Sequence, residues 1–366
     1  EVAAVTTALA TSTSTPFTHA GRTALQKILA VLREVDAEST RELAARIRLF
    51  DDGNDSARRP LAAVEQAVVE GRVLEIHYTD KAHDFTARTI EPIAVLGATG
   101  RTGGATTRHL LQRGVPVRAL TRDPDGEASR VLRDLGADVV AADMDDEASL
   151  KQALDGATRV FNVQPAYDDR GRYQGDLELA QGAAVARAAA AVGVQHVVQL
   201  AAGRGVPSGL PHFDAKLTIR RGFEQEGIVV TAIHPGPFME LMIDRSFAPA
   251  LSVWGVEPRI VGWDRPLPWV ALDDIGRAAS SALLGEIPAD GETLELIGDL
   301  RSLRECRQLL TAAGRRPRRI PIPTAMFRAM VGDEFISMWE WLTTVEDIHV
   351  TPGLTDVPTW IEQLGT

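Results

Sequence analysis

Residues Ile93–Gly104 read IAVLGATGRTGG, and this stretch decides the fold. A short apolar run enters a turn rich in glycine, and small polar residues then open a helical pattern. Gly97, Gly100 and Gly103 keep the spacing of a strand–turn–helix crossover. The first glycine permits the tight turn, the second lets backbone approach a diphosphate, and the third lets helix and strand pack closely. Free N–H groups and the positive end of the helix dipole then face the phosphates. Thr99, Arg101 and Thr102 belong to the same loop. No Gly-Lys-Ser/Thr follows, so the loop does not read as a P-loop.

Working outward, strands and helices alternate. VPVRALTR is a strand, Glu127–Leu135 a helix, ADVVAADM a strand and Glu147–Leu154 a helix. TRVFNVQP, a helix over Leu177–Val192 and the strand VQHVVQLAAG continue the series. The spacings suit right-handed βαβ crossovers. The expected fold class is therefore α/β: a Rossmann-type doubly wound parallel sheet with a smaller C-terminal substrate lobe and an N-terminal helical and hairpin appendage. The expected organisation is residues 1–91, a dinucleotide-binding domain over 92–235, and a lobe over 236–366 interleaved with it.

The second strand ends ALTRDP. An NAD-selective fold places an acid there for the ribose 2′-hydroxyl, but here Thr121 and Arg122 occupy the zone. A guanidinium grips a 2′-phosphate through paired hydrogen bonds, and Arg101 adds a second positive charge. NADP(H) is expected over NAD(H).

The motifs GATGRTGG, RALTRDP, ADVVAADMDD, HFDAK, IHPGPFMELM and VALDDIGRAA occur in that order. With them, residues 93–366 resemble the NmrA-like family of atypical short-chain dehydrogenase/reductases. The resemblance implies that Asp143 and Met144 flank the adenine, that Asn162, Val163 and Gln164 line the cofactor cleft, and that Lys216 reaches the nicotinamide ribose. It also implies two kinds of member: reductases of quinones or similar conjugated acceptors, and non-catalytic NADP(H) redox sensors that regulate transcription.

Standard short-chain dehydrogenases place a tyrosine four residues before the lysine, on one helix face. Here that position is His212, which stands beside Lys216 as the catalytic expectation. Tyr78, Tyr167 and Tyr173 lie well upstream, and Leu200, Ala201 and Ala202 stand where a serine is expected. Phe238 and Met239 are the expected substrate contacts. Trp254, Trp263 and Trp269 read either as an aromatic cover over the nicotinamide or as core. Asp273–Asp274–Ile275–Gly276 reads as a helix cap, and RRPRR at Arg315–Arg319 as a solvated loop.

In front of the glycine loop, AVEQAVVEGRVLEIHYTD and TARTIEP resemble part of a WYL-domain, DeoR-like transcriptional regulator. Helices are expected over Arg22–Val35 and Leu61–Glu70, and strands at VLEIHYTD and FTARTIEP. The chain opens on Glu1, so it is expected to begin inside a longer reading frame, with a winged helix upstream as one possibility.

Composition bounds the remaining classes. The 366 residues carry a formal net charge of −11, which argues against a broad nucleic-acid or membrane surface. Cys306 is the single cysteine, so no internal disulfide forms, and a cytoplasmic setting is expected. No histidine or cysteine spacing suits a metal site. The expected partner is a small-molecule acceptor, with a homodimer or protein partner left open.

Overall fold

The structure is a computed structural model. It describes the backbone of residues 74–79 and 85–90, and residues 91–365 apart from 169–170, 244–249, 288–292, 316 and 318–321. The chain separates into two compact units, Glu1–Pro92 and Ile93–Thr366. In the first, β1 (Leu74–Thr79) pairs antiparallel with β2 (Phe85–Ile90), with Leu74 opposite Ile90 and Thr79 opposite Phe85. This is the expected strand pair. The helices expected over 22–35 and 61–70 lie outside the described residues, as does most of the basic run 315–319.

The second unit is built on a seven-stranded parallel sheet. Its strands are β3 (Ile93–Val95), β4 (Val117–Thr121), β5 (Asp138–Ala141), β6 (Arg159–Asn162), β7 (His196–Leu200), β8 (Val229–Pro235) and β10 (Thr293–Leu296). Their order across the sheet is β10-β8-β7-β6-β3-β4-β5. The chain starts in the middle, runs to one edge, then returns past β3 to build the other half. The reversal falls between β3 and β6, and in such sheets a crevice opens there beyond the carboxyl ends of the strands.

Both faces of the sheet are covered, which explains why the strands read as apolar runs. Successive residues of β3 point to opposite sides. Ile93 and Val95 join a core with Leu110, Leu132, Ile275 and Leu283. These come from α1 (Arg101–Gln112), α2 (Glu127–Asp134) and α8 (Leu272–Leu283). Ala94 and Leu96 join the other core with Leu150, Val185, Ile219 and Phe223. Those belong to α3 (Glu147–Leu154), α4 (Gly175–Ala191) and α5 (Pro211–Gln225). The first crossover helix begins at Arg101, within the glycine loop itself, and the buried Gly103 and Gly104 lie in its first turn.

Described residues between Met239 and Ile361 form a third apolar core. The short helices α6 (Ala250–Gly255) and α7 (Glu257–Ile260) lead to β9 (Pro266–Trp269), which pairs antiparallel with β11 (Asp299–Ser302). Around them pack α9 (Leu303–Ala312), α10 (Thr324–Val331), α11 (Glu334–Leu342) and α12 (Val357–Gln363). The fold class is thus the expected doubly wound sheet, and β10, the seventh strand, comes from within the C-terminal third.

The DDIG segment does not cap α8 with a side chain. Its N-cap is Ala271, and Asp273 and Asp274 sit in the first turn. Asp274 is buried and accepts from Thr355 N at 2.7 Å, while Asp273 meets His109 at 3.0 Å. Gly276 lies directly against Ala105 of α1, so this segment docks one helix on another.

Candidate functional site

The glycine loop is shaped by close backbone contacts. Gly97 has φ of +63°, a conformation that L side chains rarely adopt. A Cβ on Gly103 would collide with the carbonyl of Gly97, so only glycine allows α1 to start so near the strand. Gly100 is the N-cap of α1 and offers no side chain to its N–H groups. Thr99, Gly100 and Arg101 are exposed, whereas Thr102 is buried. The loop therefore leaves the helix start open to a ligand with negative charge.

At the end of β4, Thr121 is buried and its hydroxyl accepts from Asp123 N at 3.2 Å, which turns the chain and leaves Arg122 exposed. Asp143 and Met144 are half-buried just after β5. Asp143 accepts from Asp145 N at 3.0 Å, and Met144 packs against the core below. At the end of β6 and just beyond it, Asn162 and Gln164 are both buried and hold each other through their amides at 2.6 and 3.4 Å.

A cavity of about 420 Å³ opens beyond the carboxyl ends of β3, β6, β7 and β8. Arg101, Thr102, Val163, Gln164, His212 and Lys216 line it. Phe238 lies in its wall. Met239 does not: its side chain is fully buried in the third core. Trp254 and Trp269 belong to that core too, and Trp263 packs against it half-buried. The tryptophans that line the cavity are Trp339 and Trp341, on α11.

Four residues of HFDAK make distinct contacts. Phe213 meets Trp341 edge to face, with ring centres 4.9 Å apart. Asp214 accepts from Ser208 N at 2.8 Å and Gly209 N at 3.0 Å, so it shapes the loop before α5. The backbone N–H of His212 donates to Glu334 at 2.7 Å, which ties the start of α11 to the start of α5. Lys216, buried at 4% exposure, lies 2.5 Å from a carboxylate oxygen of Glu178.

Glu178 was not evident from the motifs. It is fully buried in the first turn of α4, between Lys216 and His212, whose Nδ1 is 3.6 Å away. Burial would raise its carboxyl, but His212 and Lys216 together hold it down at about 2. The visible signal was an acid in an alanine-rich helix, one that also carries Asp176, Gln181 and Arg187. Two tyrosines remote in sequence also arrive here. The ring centres of Tyr167 and Tyr173 each lie 5.4 Å from that of His212. They face one another across a loop closed by a backbone bridge between the two residues. Sequence separation had placed both away from the site. At the far end of the cavity Arg204 pairs with Glu295 at 2.6 Å. His234 is buried there and bonds the carbonyl of Ala202 through Nδ1 at 2.8 Å; burial pushes its imidazole toward the neutral form.

Among the described residues no group of three or more His, Cys, Asp or Glu could hold a metal ion, and no helix is long and apolar enough to cross a membrane.

The family model described as the NmrA-like family matches residues 89–359. The chain belongs to the NmrA-like family. The match begins at Thr89, within β2, and leaves residues 1–88 uncovered. An NmrA-like family domain-containing oxidoreductase of Aspergillus japonicus is 27% identical over 267 residues, covering 66% of this chain and 78% of that one. A second, from a Cladobotryum species, is 28% identical over 290 residues, covering 72% and 81%. Among solved structures, Citrobacter sp. triphenylmethane reductase with NADP(H) superposes with a TM-score of 0.59 at 21% identity, covering 74% of this chain and 99% of that one. The NADPH-dependent quinone oxidoreductase QOR2 of Escherichia coli, complexed with NADPH, gives 0.56 at 20%, covering 75% and 100%. NmrA, a negative transcriptional regulator, in complex with NAD gives 0.57 at 18%, covering 75% and 95%. These structures share the fold.

Proposed function

We propose that this NmrA-like protein is an NADPH-dependent reductase that passes hydride to a quinone or similar small conjugated acceptor. The observation that carries the reading is a cavity lined by Arg101 and Thr102 of the glycine loop, by Lys216 and His212, and by aromatic residues of α11. Gly97, Thr99, Gly100, Arg101, Thr102 and Gly103 would hold the diphosphate. Thr121 and Arg122 would take the 2′-phosphate, and Asp143 and Met144 the adenine. Asn162, Val163, Gln164 and Lys216 would orient the nicotinamide end. The bare helix start and the space kept by Gly97 and Gly103 fit such a ligand.

Bound there, the dinucleotide supplies the hydride. The protein's part is to orient and to exclude water. Lys216, fixed by Glu178, donates hydrogen bonds to ribose hydroxyls. His212 and Phe238 bound the acceptor space, and Trp339 and Trp341 offer flat apolar surface. The names of the matched oxidoreductases, and of the reductases with the same fold, support this reading. A stopped-flow record of NADPH absorbance against a panel of quinones tests it; no consumption with any acceptor overturns it. The 2′-phosphate assignment has its own test by calorimetry. Arg122→Ala should weaken NADPH binding by roughly 10- to 100-fold, the worth of a charge-assisted hydrogen bond, and leave NADH unchanged. Equal losses for both would remove Arg122 from the role.

The neutralised lysine favours a second reading. With its charge matched by Glu178, Lys216 is poorly placed to acidify a proton donor. A non-catalytic NADP(H) redox sensor would need only binding, and an appendage over residues 1–91 with regulator-like sequence would suit it. That reading requires NADP⁺ and NADPH to differ in affinity, since a ligand with equal affinity for two states shifts neither.

A further inference from the structure

We infer that Tyr167, delivered by the loop after β6, is the hydrogen-bond donor to a carbonyl oxygen of the acceptor. This rests on the reductase reading and names a chemical requirement of that site: an oxygen acceptor rather than a hydrocarbon surface alone.

The cavity wall is largely apolar, and a phenol set in such a wall needs an acceptor. The Tyr167 hydroxyl instead meets the thioether sulfur of Met338 on α11, at 3.6 Å. Sulfur is a weak acceptor, so the contact satisfies the donor poorly and yields readily to a carbonyl. Position agrees. Tyr167 and Met338 both line the cavity, and the Tyr167 ring packs against the ring of His212, one turn from Lys216. The loop is held in this pose: Gln174 N bonds Ala166 O at 2.9 Å, and residues 167 and 173 bridge through their backbones. Burial, with Glu334 and Glu178 nearby, pushes the phenol far above its ordinary value, so it stays a donor throughout the accessible pH range.

The acceptor gains a hydride at carbon, and the carbonyl π pair moves onto oxygen. The Tyr167 O–H stabilises that developing oxyanion, and a proton from water completes the hydroxyl. The nicotinamide cofactor is the electron donor. Tyr167 keeps its own proton, and it does not occupy the sequence position of the tyrosine of other short-chain dehydrogenases. It enters the site from another crossover.

The test uses the full chain loaded with NADP⁺ and compares 1,4-naphthoquinone with naphthalene, which has the same rings and no oxygen. Binding is read from quenching of the cavity tryptophans. The wild-type protein should prefer the quinone by roughly tenfold, the worth of one hydrogen bond made in an apolar site. Tyr167→Phe should bring the ratio close to one while NADP⁺ affinity stays unchanged. Met338→Leu is the second variant. It removes the sulfur and should preserve or raise the preference, because the hydroxyl then has no competitor. A preference that survives in Tyr167→Phe, or that falls equally in Met338→Leu, overturns the inference; the latter would show that the contact only fastens α11. In turnover, Tyr167→Phe should lower kcat for quinones by roughly 100-fold, as loss of an oxyanion donor does. It should spare a cationic triphenylmethane dye, which takes hydride without an oxygen. If wild-type protein turns over nothing yet keeps the tyrosine-dependent preference, the reductase reading fails and the carbonyl subsite stands.

Discussion

Glu178 shows how one buried charge sets the character of this site. It sits against Lys216 and His212 with no exposure to solvent. Its folded value of about 2 lies below the ordinary carboxylate, so its contribution to stability is complete above about 4.5 and fades as pH falls toward 2. Acid unfolding curves of the wild-type protein should steepen in that window, and those of Glu178→Gln should lose the feature. The same variant strands a buried ammonium and should cost about 3 kcal/mol in urea unfolding at neutral pH. The residues named from motifs alone, Gly97, Gly103, Gln164, His212, Lys216 and Phe238, do meet along one cavity and the loop that feeds it. Glu178, Tyr167 and Tyr173 were not foreseeable in the same way. Their proximity depends on how the β6 loop folds back, and no local period encodes that. Met239 misled for a related reason: its neighbour Phe238 faces the cavity, and the tight helical turn that follows sends the next side chain into the core.

Helices and strands followed from pattern wherever a buried face imposes one. The β3–α1 crossover, the long α4 and the alternation through β8 are of this kind. Contacts between elements were less evident, because they depend on which small residues touch. Gly276 of α8 against Ala105 of α1 is the clearest case. Gly276→Ala gains about 1 kcal/mol of helix propensity. It also drives a methyl into backbone, and overpacking costs roughly 1–3 kcal/mol. The overpacking wins, so the urea midpoint should fall. Asp273→Ala, which removes only the partly exposed pair with His109, should change stability by less than about 1 kcal/mol. A larger loss in the second variant than in the first would mean that charge, not close approach, joins these helices.

Across the whole molecule, every group assigned to the dinucleotide and the acceptor lies in the unit Ile93–Thr366. A chain shortened to residues 92–366 should therefore bind NADPH within about twofold of the full chain, as a unit with its own core can. A large loss on calorimetry would show that residues 1–91 contribute to the pocket. The seventh strand has a consequence for biosynthesis. Thr293–Leu296 pairs with β8, yet 57 residues, α6, α7, β9 and α8 among them, are translated between Pro235 and Thr293. A nascent chain can lay down the strands from β3 to β8 while its eighth-strand edge stays bare, and only later does β10 cover that edge. The aromatic wall of α11 emerges later still. The newborn protein could thus hold its nucleotide before it owns a chamber for the acceptor, and an early ligand of that half would act as a folding template.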